Sequence, residues 1–177
     1  MTRTVMTAKR APGVVAVVIG LTLALTGCGI FADRAESDVP TATEAEIVQK
    51  VNGMADRTAA AIGDAQVINP ASNASPCDNN VGDESDAVQF VQGTYNIVLP
   101  RAVQQADFQR ARDYWKGQGW TINEDWYKQD VHEGSVSAKE VNDGGSLTLV
   151  STDSPTGLAV IAHSGCYRNQ NQQQAGR

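Results

Sequence analysis

Hydrophobic and polar positions along the chain form an apolar run near the N-terminus, two helical patterns and several short alternating segments. The first helical pattern begins at Thr43, which forms a capping-box sequence with Glu46. Apolar or small residues then recur three and four positions apart as far as Ile62. The second helical pattern covers residues 102–118 and ends in a Gly-Gln-Gly sequence. The sequence therefore predicts two amphipathic helices, each with one face in a core.

Five further segments have the alternation and the flanking turn residues of β-strands. The predicted strands are 88–99, 120–127, 134–141, 146–152 and 158–164, and residues 142–145 (Asn-Asp-Gly-Gly) form a hairpin turn. Residues 67–86 are instead rich in Asn, Ser and Pro, so we expect a long loop there. This order of elements predicts an α+β domain, with an antiparallel sheet of four to five strands and both helices on one face.

The apolar run near the N-terminus has the pattern of a bacterial lipoprotein signal peptide. Three basic residues precede it, residues 14–25 are almost entirely apolar, and Leu25-Thr26-Gly27-Cys28 matches a lipobox. The run is shorter than a permanent membrane-spanning helix requires. We therefore expect a cleaved signal peptide at residues 1–27 and palmitate-type acylation of Cys28. An ordinary secretory signal and a short membrane anchor are the alternatives.

The rest of the chain divides into three predicted parts. Residues 28–43 lack apolar periodicity and are expected to form a lipidated tether. Residues 44–168 form a single α+β domain, and residues 169–177 are a tail rich in Gln and Asn that we expect to be disordered. The protein is thus expected at the extracytoplasmic face of the cell membrane, held there by lipid.

Charge restricts the partners of this predicted mature chain. It contains 20 Asp and Glu against 11 Lys and Arg, so its net charge is −9. An acidic domain repels phosphate backbones, so we expect no nucleic-acid partner. We expect membrane contact through the acyl chains on Cys28, because two or more chains give stable anchoring.

Two cysteines remain after Cys28, and an even pair in an exported domain indicates a disulfide. A bond between Cys77 and Cys166 would close a loop of about 90 residues. Two separate buried thiols are the alternative. Zinc binding is not favoured, because His163 is the one His or Cys close to Cys166 and Cys77 has none.

Motifs for catalysis and cofactor binding are missing from the sequence. There is no Gly-x-Ser-x-Gly sequence, no Ser-x-x-Lys sequence and no phosphate-binding glycine loop. The acidic segment 78–86 lacks EF-hand spacing, and His132 and His163 have no metal-binding spacing. We therefore expect no cofactor and no metal.

Large aromatic residues are concentrated within 14 positions of the chain: Tyr114, Trp115, Trp120, Trp126 and Tyr127. We expect Trp115 and Trp120 in the core and Trp126 at a strand edge, and we take Trp126, Tyr127 and Trp115 as candidate binding residues. The leading hypothesis is a non-catalytic module that binds an envelope protein, glycan or lipid. The alternative is a hydrolase of envelope polymers that pairs Glu124 or Asp125 with Glu133.

The order of these features resembles that of the LppA-type lipoproteins of mycobacteria and related actinobacteria. The shared order is a lipobox cysteine (Cys28), an amphipathic helix, a cysteine in a polar loop (Cys77), a charged helix leading into a strand (108–120), and a strand that ends on Gly-Cys (Cys166). The resemblance spans most of the predicted mature chain. It implies a surface-anchored protein of unassigned activity, and it transfers no catalytic residue.

Overall fold

The computed structural model describes residues 39–77 and 88–171 of the chain. These residues contain two α-helices and eight β-strands. In chain order they are β1 (Thr41–Ala42), α1 (Glu44–Ile62), β2 (Gln66–Pro76), β3 (Val88–Val98), α2 (Gln105–Gly117), β4 (Thr121–Lys128), β5 (Glu133–Lys139), β6 (Ser146–Ser151), β7 (Gly157–His163) and β8 (Tyr167–Asn169). The predicted signal peptide, Cys28, most of the predicted tether, the acidic segment 78–86 and residues 172–177 of the tail lie outside the described residues.

The sheet is an antiparallel array with a small parallel extension. β3 pairs with β2 along one edge, and along the other edge it pairs with β7 and, at its first two residues, with β8. The array then continues through β6 and β5 to β4. β1 pairs with β8 in parallel. Within the described residues β4 pairs with β5 alone, so β4 forms an edge of the sheet.

The prediction of an antiparallel sheet of four to five strands is wrong, because the sheet has eight strands and is mixed. The five predicted strands correspond to β3 through β7, and the pattern does not reveal β1, β2 and β8. β2 occupies much of the predicted loop 67–86. Its turn-prone residues form an exposed edge strand because pairing with β3 holds its backbone. β1 and β8 are too short to show a period.

The two predicted helices are present, and their first turns show why they begin where they do. At α1, the Thr43 hydroxyl accepts a hydrogen bond from the Glu46 N–H at 3.3 Å, and Glu46 accepts one from the Thr43 N–H at 2.8 Å. At α2, the buried carboxylate of Asp107 accepts hydrogen bonds from the Gln104 N–H and from Arg101. Burial alone would raise the pKa of Asp107, but these hydrogen bonds and the charges of Arg101 and Arg110 lower it.

The core lies between the two helices and one face of the sheet. Its largest fully buried side chains include Trp115, Tyr95, Tyr167, Phe108, Ile62 and Leu149. α1 and α2 also contact each other, and the Trp115 indole of α2 donates a hydrogen bond to the Thr58 hydroxyl of α1 at 3.0 Å. Thr58 in turn donates to the carbonyl of Met54 at 2.8 Å. This chain of hydrogen bonds satisfies the buried indole N–H.

The predicted disulfide is confirmed. Cys77 and Cys166 are bonded, with their Cα atoms 6.2 Å apart. Cys77 follows β2 and Cys166 lies between β7 and β8, so the bond ties the end of the β2 edge strand to the β7–β8 connection. No helix within residues 39–77 and 88–171 is both long and apolar enough to cross a membrane.

Candidate functional site

A pocket of about 210 Å³ lies between α1, the C-terminal end of α2 and the β5–β6 hairpin. We call it the interhelical pocket. Its apolar and aromatic lining is Met54, Tyr114, Trp115, Trp120 and Leu147, and its polar lining is Lys50, Arg57, Gln118 and Glu140. An apolar wall with a few convergent polar groups is the usual composition of a ligand site.

An ionised cluster forms one wall of the interhelical pocket. The Lys50 ammonium contacts the Asp143 carboxylate and lies 3.7 Å from Glu140 Oε2. Asp143 also accepts a hydrogen bond from the Gly145 N–H at 2.9 Å. This cluster joins α1 to the hairpin turn between β5 and β6.

The two carboxyl groups of this cluster shift each other's pKa in opposite directions. Hydrogen bonding to Asp143, together with burial, raises the pKa of Glu140 to about 7. Burial alone would raise the pKa of Asp143, but hydrogen bonds from Glu140, Lys50 and the Gly145 N–H lower it to about 2. Glu140 Oε2 is buried and has no hydrogen-bond partner, which makes the ionised form of Glu140 less favourable. Glu140 is therefore a neutral acid over much of the range below pH 7.

Replacing Glu140 with Gln is expected to flatten the dependence of stability on pH. The pKa of Glu140 lies above its ordinary value of 4.5, so its contribution is complete below pH 4.5 and is lost as the pH rises through 7. The lowered pKa of Asp143 acts only at more acidic pH. Between pH 5 and pH 8, wild type should lose about 1–2 kcal/mol relative to Glu140→Gln, a figure reduced for solvent screening.

Urea denaturation of both proteins at pH 5, 6, 7 and 8 measures this difference in the free energy of unfolding. The matched control is Glu133→Gln, which removes an exposed carboxylate from the same strand region. Parallel pH profiles for wild type and Glu140→Gln would contradict the raised pKa of Glu140.

The second candidate surface is the β4 edge of the sheet. Trp126 is 40% exposed there, its indole N–H donates to Glu124 Oε1 at 2.5 Å, and the Lys128 ammonium lies 5.4 Å from its ring centroid. Tyr127 faces α2, where its ring centroid is 5.6 Å from that of Phe108.

A groove of about 190 Å³ runs between α2 and this edge strand. It is lined by Gln105, Phe108, Gln109, Arg112, Asp125, Trp126 and Tyr127. Arg112 donates a hydrogen bond across it to Asp125 Oδ2 at 2.9 Å. We call the groove together with the exposed Trp126 indole the β4-edge surface. It combines an aromatic ring with amide, guanidinium and carboxylate groups.

The predicted aromatic binding residues are divided between these two surfaces. Trp126 and Tyr127 belong to the β4-edge surface. Trp115 is 1% exposed and borders the interhelical pocket, together with the half-buried Trp120. Of the large apolar side chains exposed within the described residues, Val98, Trp126, Val131 and Val141, Trp126 is the one aromatic.

Two of the three acidic residues of the hydrolase hypothesis have other side-chain partners. Glu124 accepts from the Trp126 indole, and Asp125 pairs with Arg112. Glu133 lies opposite Lys128 in the β4–β5 register. The carboxyl pair that the fold does create is Glu140 with Asp143, which flank the hairpin turn. A Glu-x-x-Asp sequence at such a turn is a usable signal, whereas the role of Lys50 follows only from the docking of α1.

The two histidines lie apart from each other. His132 lies in the β4–β5 turn, and its Nδ1 is 3.1 Å from the hydroxyl of Tyr127 in β4. The His163 ring stacks on Phe90 with centroids 5.9 Å apart, and burial lowers its pKa. Among the residues that the structure describes, no group of three His, Cys, Asp or Glu side chains is placed to hold a metal ion.

Comparison with known proteins adds little to this geometry. No protein-family model matches the chain, and no curated protein matches it in sequence. A solved structure that is similar in part is the extracellular domain of PknH from Mycobacterium tuberculosis. It is 12% identical, and the match covers 78% of this chain and 93% of that one with a TM-score of 0.27. A TM-score this low does not establish a shared fold.

Proposed function

We propose that the protein is a lipid-anchored, extracytoplasmic binding module of the cell envelope that binds a glycan at the β4-edge surface. The observation that carries the proposal is the exposed Trp126 indole on an edge strand, beside a groove of hydrogen-bonding side chains. The lipobox at Cys28 and the resemblance to LppA-type lipoproteins support the location. The disulfide supports it too, because such bonds persist in oxidising compartments.

The chemistry of the β4-edge surface favours a glycan over a lipid or a charged polymer. Gln105 and Gln109 offer donors and acceptors that match sugar hydroxyls, and Arg112 and Asp125 add further ones. An acyl chain would leave these polar groups without partners, which costs free energy. The predicted net charge of −9 opposes binding of a polyanion.

Trp126 is held in place before any ligand binds. Its indole N–H donates a hydrogen bond to Glu124, and the Lys128 ammonium lies over its ring. A rigid aromatic side chain loses little conformational entropy on binding, so more of the contact energy remains as affinity. A pre-positioned aromatic side chain beside polar groups is typical of a recognition surface.

Replacing Trp126 with Ala is expected to remove glycan binding and to leave the fold nearly unchanged. Trp126 is 40% exposed, so its loss should lower the free energy of unfolding by about 1 kcal/mol, far less than the loss of a fully buried Trp. Loss of a stacking platform should weaken binding by about tenfold or more. The probes are uncharged tetrasaccharides, with and without N-acetyl groups, titrated by calorimetry.

The matched control for this titration is Val141→Ala. Val141 is 68% exposed and lies two residues beyond the end of β5, whose Ser135 pairs with Trp126 near the other end. It should bind like wild type. Equal affinity of Trp126→Ala and wild type, or wild-type binding to neither probe, would count against the proposal.

Lipid anchoring needs a separate experiment in cells. Radiolabelled palmitate should be incorporated into the wild-type protein, which should partition into the detergent phase, because acyl chains on Cys28 provide the anchor. The Cys28→Ala variant should carry no label and should leave the membrane. Equal labelling of the two proteins would refute acylation at this residue.

A further inference from the structure

The interhelical pocket has no role in the glycan proposal. Its volume of about 210 Å³ corresponds to about seven water molecules at about 30 Å³ each, which suits a ligand of one ring. Met54 and Leu147 form apolar contacts, while Tyr114 and Trp120 offer aromatic surface. These side chains favour a flat ligand with apolar faces.

The charges around the pocket do not cancel. Lys50 and Asp143 form an ion pair, and a protonated Glu140 adds no charge. Arg57 also lines the pocket, and no salt bridge within residues 39–77 and 88–171 involves it. Below pH 7, one uncompensated positive charge therefore remains at the pocket.

A glycine inside α1 leaves room for this guanidinium beside the helix. A Cβ atom at Gly53 would lie 2.9 Å from Arg57 Nη1, closer than such atoms approach each other. Glycine inside a helix is otherwise unfavourable. Gly53 thus lets the Arg57 guanidinium lie across the helix surface at the pocket, where its planar fork can meet a carboxylate.

We propose that the interhelical pocket binds a small carboxylate-bearing ring compound, with Arg57 as the ion-pair partner of the carboxylate and with Tyr114 and Trp120 against the ring. The site is separate from the β4-edge surface and does not depend on glycan binding there.

Binding of an anion is coupled to protonation of Glu140. The charged groups that face Glu140 are Lys50 from α1 and Asp143 from the hairpin turn, and Tyr114 of α2 lines the same pocket. A carboxylate placed here disfavours the ionised form of Glu140, so the complex takes up a proton near neutral pH. Affinity should therefore fall as the pH rises from 6 to 8.

The test uses the full-length protein purified in detergent, with benzoate as the probe and neutral benzamide as its matched control. Calorimetry at pH 6 should show benzoate binding about tenfold tighter than benzamide, because only benzoate pairs with the guanidinium. From pH 6 to pH 8 benzoate affinity should fall by about fivefold in wild type, since one proton is involved. Glu140→Gln should bind benzoate with the same affinity at pH 6 and at pH 8.

Two variants separate recognition from folding. Arg57→Gln should lose the preference for benzoate over benzamide, whereas Lys139→Gln, which removes an exposed cation beside Glu140, should retain it. Gly53→Ala should raise the melting temperature, because alanine favours the helix, and yet weaken benzoate binding by displacing Arg57. The proposal is overturned if benzoate fails to bind, if benzamide binds equally well, or if Arg57→Gln keeps the preference.

Discussion

Replacing Trp115 with Ala is expected to destabilise the domain by about 3–5 kcal/mol, because it empties the centre of the helix–sheet interface. The side chain is 1% exposed and its N–H donates to Thr58 of the other helix. The truncation removes apolar contacts and also the one hydrogen bond between side chains of α1 and α2 that the structure describes. Urea denaturation of the variant measures the loss as a shift of the midpoint at unchanged slope.

Two other tryptophans provide controls for that measurement. Trp120 is half-buried at the interhelical pocket, so Trp120→Ala should cost clearly less than Trp115→Ala. Trp126→Ala should change the free energy of unfolding least of the three, because the Trp126 indole is exposed. Equal losses for the three variants would contradict the burial order of the tryptophans. The sequence predicts both Trp115 and Trp120 in the core, and the structure places only Trp115 fully inside it.

Removing the disulfide is expected to cost about 4–5 kcal/mol as an upper figure from loop entropy. Cys77 and Cys166 are 89 residues apart, so the bond restricts most of the unfolded domain. In the native state it also holds the end of the β2 edge strand, whose exposed backbone gains little from packing. Thermal denaturation of wild type with and without reductant, next to Cys77→Ala/Cys166→Ala, measures the effect.

The double variant serves as its own control in this comparison. Reductant should lower the melting temperature of wild type to that of Cys77→Ala/Cys166→Ala and should leave the variant unchanged. If reductant shifts neither protein, or if the variant melts like oxidised wild type, the bond does not stabilise the domain as described.

Periodicity and capping predict the parts of this fold that depend on local sequence. The capping box at Thr43 and the alternation in β3 through β7 are visible without any structure. β2 is not, because its residues favour turns and its strand conformation depends on pairing with β3. β1 and β8 also depend on long-range pairing, because β1 pairs with β8 and β8 pairs with β3.

The candidate sites show the same division between local and long-range information. Trp126 can be placed at a strand edge from the sequence, because it lies within a polar strand next to a turn. The carboxyl pair of Glu140 and Asp143 depends on a hairpin turn that the sequence also predicts. Their partner Lys50 and the pocket cation Arg57 come from α1, and only tertiary packing brings that helix to the hairpin.

Sedimentation of the protein with purified, insoluble cell-wall polysaccharide tests the central claim most directly, because it does not require the ligand to be known in advance. We expect wild type and Val141→Ala in the pellet. We expect Trp126→Ala to remain in the supernatant, although it is folded. Wild type that stays in the supernatant, or Trp126→Ala that sediments like wild type, would contradict glycan binding at the β4-edge surface.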